Sequence, residues 1–130
     1  RKLSGPIRDR VDLHVELEPV TASELLDAEP GEPSEAVRER VAAARRRVAD
    51  RGQTVPNGRL GRAELDRVAE LDRAASLMLH EAARSFGLSG RATTRVVKVA
   101  RTLADLEGSA PIRESHLSEA LGFRPVEAAA

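Results

Sequence analysis

Cysteine, tryptophan and tyrosine are all absent from this 130-residue chain, and phenylalanine occurs only twice. Without cysteine the chain forms neither disulfides nor thiolate metal sites, although such a chain tolerates any redox compartment. The shortage of aromatic residues argues against an all-β sandwich, whose pleated faces need aromatic and β-branched side chains. No apolar run approaches the roughly 20 residues that a membrane-spanning helix requires. These absences favour a helical domain without a membrane segment.

Charge and motif content also exclude several functions for the chain on its own. The 21 basic and 21 acidic side chains give a formal net charge of +0, so no global field draws the domain onto nucleic acid or an anionic membrane. No Gly-x-x-x-x-Gly-Lys-Ser/Thr phosphate loop occurs, so the backbone cradle that phosphoryl transfer needs is missing. Because the chain starts at Arg1 rather than Met, we expect it to be a piece of a longer protein.

The N-terminal segment has the pattern of a half-buried strand. In Val11–Glu18 apolar residues occupy every second position, and Pro19 ends the pattern. A lone strand has no partner in a helical chain, so we expect a remnant of a sheet-containing domain that is disordered in isolation over residues 1–19. A short helix capped by Thr21 follows, and the segment Pro30–Pro33 predicts a linker.

The middle of the chain has helical periodicity. Ser34 is the predicted N-cap of a long helix that ends before Gly52. The apolar stripe of this helix repeats at three- and four-residue spacing and consists of Val37, Val41, Ala44 and Val48. In the apolar run Leu65–Phe86, Asp72 is a predicted N-cap that divides the run into two helices.

A basic helix capped by Ser89 and ended by Gly108 comes next, and a last short helix ends at Gly122. The predicted core stripe of the basic helix is Ala92, Val96, Val99, Ala100, Leu103 and Leu106. The opposite stripe is Arg91, Arg95, Lys98, Thr102 and Asp105. The expected fold class is therefore all-α, a small helical bundle preceded by a short strand.

Arg91 is the strongest candidate for a functional side chain. It lies in the first turn of the basic helix, where free backbone N–H groups and the helix dipole favour an anion and disfavour a cation. A bound phosphate would offset that penalty. The alternative is a basic helix face that is merely solvated, which is the usual state of such faces.

Arginines elsewhere allow two further interpretations. In Arg8-Asp9-Arg10 the charges either pair locally or deliver an arginine from a strand edge to a neighbour's nucleotide. The run Arg45–Arg47 favours a solvated face over DNA contact, because successive helix residues point in different directions and no aromatic residue is interleaved.

The histidines are His14, His80 and His116, and they have no metal-ligand spacing. We expect His80 and His116 to be boundary or surface residues.

Two blocks, Lys2–His14 and Leu88–Gly108, closely resemble the C-terminal part of the magnesium-chelatase-like ComM/YifB family of AAA+ ATPases. The resemblance covers nearly the whole chain and leaves out only the tail after Arg124. Supporting matches are Gly31-Glu32-x-Ser34, Asn57, Leu60, Leu71-Asp72 and His116-Leu117-x-Glu119-Ala120-Leu121.

The resemblance implies a domain organisation and a site. Residues 1–19 would be the end of the α/β nucleotide-binding core, residues 20–124 the helical lid domain of the Mg-chelatase C-terminal type, and residues 125–130 a tail. Arg10 would be the arginine finger that acts in trans on the neighbouring subunit's ATP. Arg91 would be the sensor-2 arginine that contacts the γ-phosphate, with Ser89 and Arg95 as further nucleotide-binding candidates. No metal site is expected in the chain.

The resemblance also implies properties of the parent protein. It would bind ATP and Mg²⁺, form a homo-oligomeric ring, expected to be a hexamer, and act in the cytoplasm as a DNA-processing motor for branch migration in competence and recombination. DNA is a further expected partner of the parent, and no membrane partner is expected. The fragment alone should neither hydrolyse ATP nor hold a cofactor tightly.

The sequence departs from its relatives near the sensor arginine. Thr93-Thr94 stands where relatives often have a bulkier residue, and Gly90 precedes Arg91. These are differences in lid packing that leave both arginines in place.

Two alternatives of other classes remain. One is a stand-alone helical DNA-binding module that uses Arg45–Arg47 or Arg95–Arg101. The other is a protein-interaction module positioned by the linker Pro30–Pro33.

Overall fold

Seven α-helices and one short 3-10 helix make up the part of the chain that the computed structural model describes, residues 5–8 and 10–125. The α-helices are α1 (Gly5–Arg8), α2 (Ala22–Leu26), α3 (Ser34–Asp50), α4 (Arg62–Val68), α5 (Arg73–Ser85), α6 (Gly90–Glu107) and α7 (Glu114–Gly122). The 3-10 helix, Asn57–Arg59, lies between α3 and α4. The predicted all-α bundle is confirmed. The first four residues and most of the predicted tail, residues 126–130, lie outside the described part.

The strand predicted for Val11–Glu18 is not confirmed. Within residues 5–8 and 10–125 the one β-type contact is an isolated parallel bridge between Leu71 and Ile112. The N-terminal segment instead runs without regular structure to α2 and is fastened by a backbone hydrogen bond from His14 N–H to Phe123 O, 2.9 Å. Alternation of apolar residues forms a strand only when a neighbouring strand supplies the ladder of hydrogen bonds.

The core surrounds α6, which packs against α7, α3 and the 3-10 helix, while α5 packs against α7. Its members are Leu60, Leu65, Ala69, Val96, Val97, Ala100, Ala104, Ile112, Leu117 and Ala120. The many alanines allow close approach of the helices, and Ala100 and Ala104 are both 0% exposed. No helix in the described ranges is long and apolar enough to cross a membrane.

Side-chain caps fix where three of the helices begin, as predicted. Thr21 and Glu24 form a reciprocal capping box at α2. Asp72 accepts a hydrogen bond from Ala75 N–H at 2.8 Å and separates α5 from α4. Ser89 Oγ accepts from Ala92 N–H at 3.1 Å and begins α6.

The prediction for α3 was partly wrong. Ser34 is the first helical residue, and the N-cap is Pro33, which makes no side-chain cap. In the predicted stripe only Ala44 is buried, whereas Val37 and Val41 are 38% and 39% exposed. The predicted stripe is therefore partly open to solvent in the first half of α3, which apolar spacing alone does not reveal.

Candidate functional site

A cleft of about 790 Å³ opens at the beginning of α6. Its described lining comes from the N-terminal segment, the turn between α5 and α6, the first half of α6 and the end of α7. The charged residues in this lining are Asp12, Arg91, Arg95 and Arg124. Three guanidinium groups facing one carboxylate make the cleft locally basic in a chain without net charge.

Arg91 lies in the first turn of α6, and its side chain is exposed at the cleft. The Ser89 cap defines where this turn begins, two residues earlier, and so sets the position of Arg91. The turn contains no acidic residue that would balance the positive end of the helix dipole. An anion in the cleft would therefore be stabilised by both the helix terminus and the guanidinium.

Arg95 lies one turn further along α6 and pairs with Asp12 of the N-terminal segment. Arg95 Nε and Asp12 Oδ1 are 3.6 Å apart, and the two side chains are 15% and 59% exposed. An ion pair this open to water contributes roughly 0–1 kcal/mol to stability. The pair nevertheless joins the segment that follows Arg10 to the helix that carries Arg91.

The far side of the cleft is formed by Phe86 and Arg124. The Arg124 guanidinium carbon lies 3.5 Å from the centre of the Phe86 ring, a cation–π contact. Phe86 is 51% exposed, and both residues also line a second groove of about 440 Å³ beside Met78 of α5. The pair is therefore part of the wall that the cleft and the groove share.

Arg10 lies in the turn after α1, where its N–H donates to Ile7 O at 3.0 Å. Its side chain is exposed and does not line the cleft. Asp12, two residues later, does line it. The structure thus brings together three of the four predicted site residues, Ser89, Arg91 and Arg95, and places Arg10 in the segment beside them. Asp9 of the same motif lies outside the described residues.

A buried polar network that sequence reasoning missed lies at the other end of α6. Asp105 and Arg101 were expected in the stripe opposite the core or on a DNA-binding face, but each is only 1% exposed. The Asp105 carboxylate accepts hydrogen bonds from Asn57 Nδ2, at 2.9 Å, and from both Nη atoms of Arg51. Arg101 Nη2 lies 3.0 Å from Asp105 Oδ1. The four-residue spacing of Arg101 and Asp105 was the available signal, because oppositely charged residues at i and i+4 are neighbours on a helix.

Burial and pairing act against each other in this network. Burial disfavours the charged form of Asp105, but the hydrogen bonds from Arg51 and Asn57 and the two guanidinium charges outweigh it, so the pKa of Asp105 lies below its usual value. Burial also lowers the pKa of Arg101, and the charge of Asp105 opposes that shift. Arg101 further donates to Ser109 O at 2.8 Å and to Ala110 O at 2.6 Å. The network joins α3, the 3-10 helix, α6 and the turn before α7.

The remaining polar residues of the α6 stripe also turn toward the chain itself. Lys98 Nζ donates to Gly58 O at 3.3 Å, and Thr102 Oγ1 accepts from Asn57 Nδ2 at 3.1 Å. The stripe is therefore not uniformly solvated: Asp105 is buried and Lys98 is half-buried, whereas Arg91 and Thr102 are exposed.

His116 was expected to be a boundary or surface residue and is instead buried, at 4% exposed. Its Nδ1 accepts from Arg113 N–H at 3.0 Å, which begins α7, and its Nε2 hydrogen-bonds the Glu107 carboxylate. His80 is exposed, as expected. In the Arg45–Arg47 run Arg47 donates to Asp105 O at 2.8 Å, while Arg45 and Arg46 are exposed.

A small all-α bundle with a basic cleft at the start of its longest helix is the class of domain that these observations define. Residues 31–124 match the family model described as "Magnesium chelatase, subunit ChlI C-terminal", and the chain belongs to this family as a C-terminal fragment. The resemblance recognised in the sequence is confirmed.

Curated relatives extend the match to most of the chain. The competence protein ComM of Haemophilus influenzae is 39% identical over 124 residues, which are 95% of this chain and 24% of that protein. The uncharacterized protein YifB of Escherichia coli is 38% identical over 128 residues, which are 97% of this chain and 25% of that protein. The uncharacterized protein Rv2897c of Mycobacterium tuberculosis is 39% identical over 128 residues, 95% of this chain and 25% of that protein. The chain thus spans about a quarter of the length of these relatives.

Proposed function

We propose that this chain is the helical lid of an AAA+ ATPase of the ComM/YifB branch, and that Arg91 is its sensor-2 arginine, in contact with the γ-phosphate of ATP. The observation that carries the proposal is the position of Arg91, exposed in the first turn of a Ser89-capped helix and facing a cleft with Arg95 and Arg124. Membership of the magnesium chelatase C-terminal family supports it.

The chemistry of the cleft suits a polyphosphate. Charge spreads over the oxygens of the transferred phosphoryl group in the transition state, and guanidinium groups neutralise that charge bidentately. Arg91 is placed to do so from the helix terminus, and Arg95 adds a second cation one turn deeper. Ser89 contributes by holding the first turn in place.

We extend the proposal to Arg10 as the arginine finger that acts in trans on a neighbouring subunit. Its exposed side chain, in a turn two residues from the cleft wall, leaves it able to reach outward. Such a finger contributes about 10³–10⁵ in rate. A homo-oligomeric ring, for which we propose a hexamer, follows from this role.

The residues of the chain fit ATP better than Mg²⁺. Among the described residues no group of three His, Cys, Asp or Glu side chains is placed to hold a metal ion, and Asp12 is the one carboxylate in the described lining of the cleft. The parent's other domains would supply the phosphate loop and the magnesium ligands, so the chain alone would have no ATPase activity.

For the parent we propose a cytoplasmic motor that processes DNA, by branch migration in competence and recombination. The name of the Haemophilus relative, a competence protein, supports this assignment.

The test is ATP hydrolysis by the full-length parent carrying Arg91→Ala. We expect turnover to fall about 100-fold or more, the usual scale for losing one transition-state charge contact. Arg67→Ala is the matched control, because Arg67 is an exposed arginine on α4 that does not line the cleft. Normal turnover by the Arg91 variant, or an equal loss in both, would overturn the sensor-2 assignment.

A second candidate, a protein-interaction module, is favoured by a different observation. The exposed Val37 and Val41 give the first half of α3 an unpaired apolar face. The DNA-binding alternative is weaker, because most cations of the two proposed sets contact the chain itself. Arg47 and Arg101 donate to backbone carbonyls, Arg95 pairs with Asp12 and Lys98 donates to Gly58 O, whereas Arg45 and Arg46 are exposed. Salt-sensitive binding of DNA by the 130-residue chain alone would restore it.

A further inference from the structure

We propose that Asp12 is an internal counter-anion of the cleft, which a phosphate group displaces from Arg95, so that nucleotide binding releases the segment that carries Arg10. The inference rests on the proposed function, since it takes the cleft to be a phosphate site. It adds a link between the proposed finger, Arg10 in the N-terminal segment, and the proposed phosphate-binding arginines of α6.

The contacts of Asp12 place its carboxylate where an incoming anion would meet Arg95. Its Oδ1 lies 3.6 Å from Arg95 Nε. Its other oxygen, Oδ2, lies beside Gly58 of the 3-10 helix: a Cβ added to that glycine would be 4.0 Å from it. Asp12 is also the one carboxylate that the described residues contribute to the lining, against three arginines. It therefore offsets part of the positive charge that a phosphate would otherwise meet.

The geometry of the pair favours exchange for a stronger anion. A charge-assisted N–H···O bond is ordinarily about 2.7–2.9 Å long, so the 3.6 Å separation is that of a loose pair. The Asp12 side chain is 59% exposed, so water and salt screen the attraction. A phosphate group carries more charge and offers a guanidinium two oxygens at once.

The N-terminal segment has a second fastening that does not depend on charge. His14 N–H donates to Phe123 O at 2.9 Å, two residues after Asp12. When the carboxylate leaves Arg95, residues 10–13 lose this contact with α6, while the chain stays attached at His14. Arg10 lies in the released part, so a phosphate at Arg91 and Arg95 changes the freedom of the proposed finger.

The experiment is an NMR titration of the 130-residue chain with sodium tripolyphosphate. We expect shifts at Ser89–Ala92 and Arg95, together with a lower heteronuclear NOE at Val11–Leu13, which reports larger fast backbone motion. In Asp12→Asn the heteronuclear NOE at Val11–Leu13 should already be low without tripolyphosphate. The affinity should rise about two- to fivefold, because a weak competing pair has been removed. Glu16→Gln is the matched control: it removes the same charge from the same segment at an exposed residue outside the cleft lining, and its affinity should stay near that of the unaltered chain.

Each other outcome contradicts a different claim. Shifts at Ser89–Ala92 with an unchanged heteronuclear NOE at Val11–Leu13 would overturn the release of the segment and leave the phosphate site standing. Equal affinity gains in Asp12→Asn and Glu16→Gln would show a general charge effect and overturn the counter-anion role. No shift at Ser89–Ala92 at any concentration would overturn the phosphate site itself, and the release with it.

Discussion

Arg51, at the end of α3, donates to both carboxylate oxygens of Asp105 near the end of α6, at 2.5 and 2.9 Å. The two residues are 54 positions apart in the chain, so the pair fixes two distant helix ends against each other. Asn57 and Arg101 complete the coordination of the same carboxylate. Asp105 therefore stabilises the frame on which α6 presents Arg91 at its opposite end.

Asp105→Asn should destabilise the chain by about 3 kcal/mol, because removing one partner of a buried ion pair leaves the other charge uncompensated. Asp66→Asn is the matched control, since Asp66 pairs with Arg62 on the surface, both side chains being more than half exposed. It should cost well under about 1 kcal/mol. Urea denaturation of both variants gives the comparison. Equal losses would show that the Asp105 network contributes no more than a surface pair.

The same carboxylate makes stability depend on pH in a defined direction. Because the pKa of Asp105 is lowered in the folded chain, the unfolded chain takes up this proton first as the solution is acidified. The contribution is complete above the unfolded value of about 3.9 and is lost as pH falls through the folded pKa. Denaturation of the unaltered chain and of Asp105→Asn between pH 7 and pH 2 should show a stability difference that shrinks in acid. A difference that stays constant would contradict this.

Features that depend on local interactions could be predicted from the sequence, and features that depend on distant segments could not. The caps Asp72 and Ser89 act within three residues of themselves, so their helices could be predicted. Periodicity could not decide whether Val11–Glu18 forms a strand, because a strand needs a neighbouring strand and the apolar pattern does not show whether one is present. The burial of Asp105 depends on Arg51, which comes from elsewhere in the chain, and helical spacing alone placed Asp105 at the surface.

The positions of Ser89 and Arg91 at the start of α6 were more predictable than the buried network at its other end. Arg91 and Ser89 follow from helix-terminus physics and from the resemblance, and both line one cleft. The pairing of Arg95 with Asp12 and the stacking of Arg124 on Phe86 could not be predicted, because each joins segments that only the folded chain brings together.

Gly108→Ala should destabilise more than Gly52→Ala. Both glycines have positive φ, +83° and +72°, so both alanines carry the left-handed penalty of roughly 1 kcal/mol. A Cβ at Gly108 would also stand 2.8 Å from Arg47 Nη2 and push away a guanidinium that binds Asp105 O, at a further cost of about 1 kcal/mol. At Gly52 nothing lies within 4 Å. Thermal unfolding of the two variants measures the difference, and equal melting temperatures would contradict the Arg47 contact.

Ser89→Ala and Asp72→Ala should each lower stability by about 1 kcal/mol, because each removes one N-cap. Only Ser89→Ala frays the turn that carries Arg91, and Asp72 does not line the cleft. In the full-length parent we therefore expect ATP turnover to fall with Ser89→Ala and to remain near normal with Asp72→Ala. Equal turnover in the two variants would show that the Ser89 cap is not needed to position Arg91 for ATP hydrolysis.

The most direct measurement is ATP turnover by full-length Arg10→Ala and Arg91→Ala proteins, each alone and mixed with a subunit whose phosphate loop is inactivated. We expect both variants to assemble and to be inactive alone, and the Arg10 variant to regain turnover in mixed rings, because an intact finger then comes from the neighbouring subunit. Normal turnover by both variants alone would contradict the assignment of Arg10 and Arg91 to the nucleotide site.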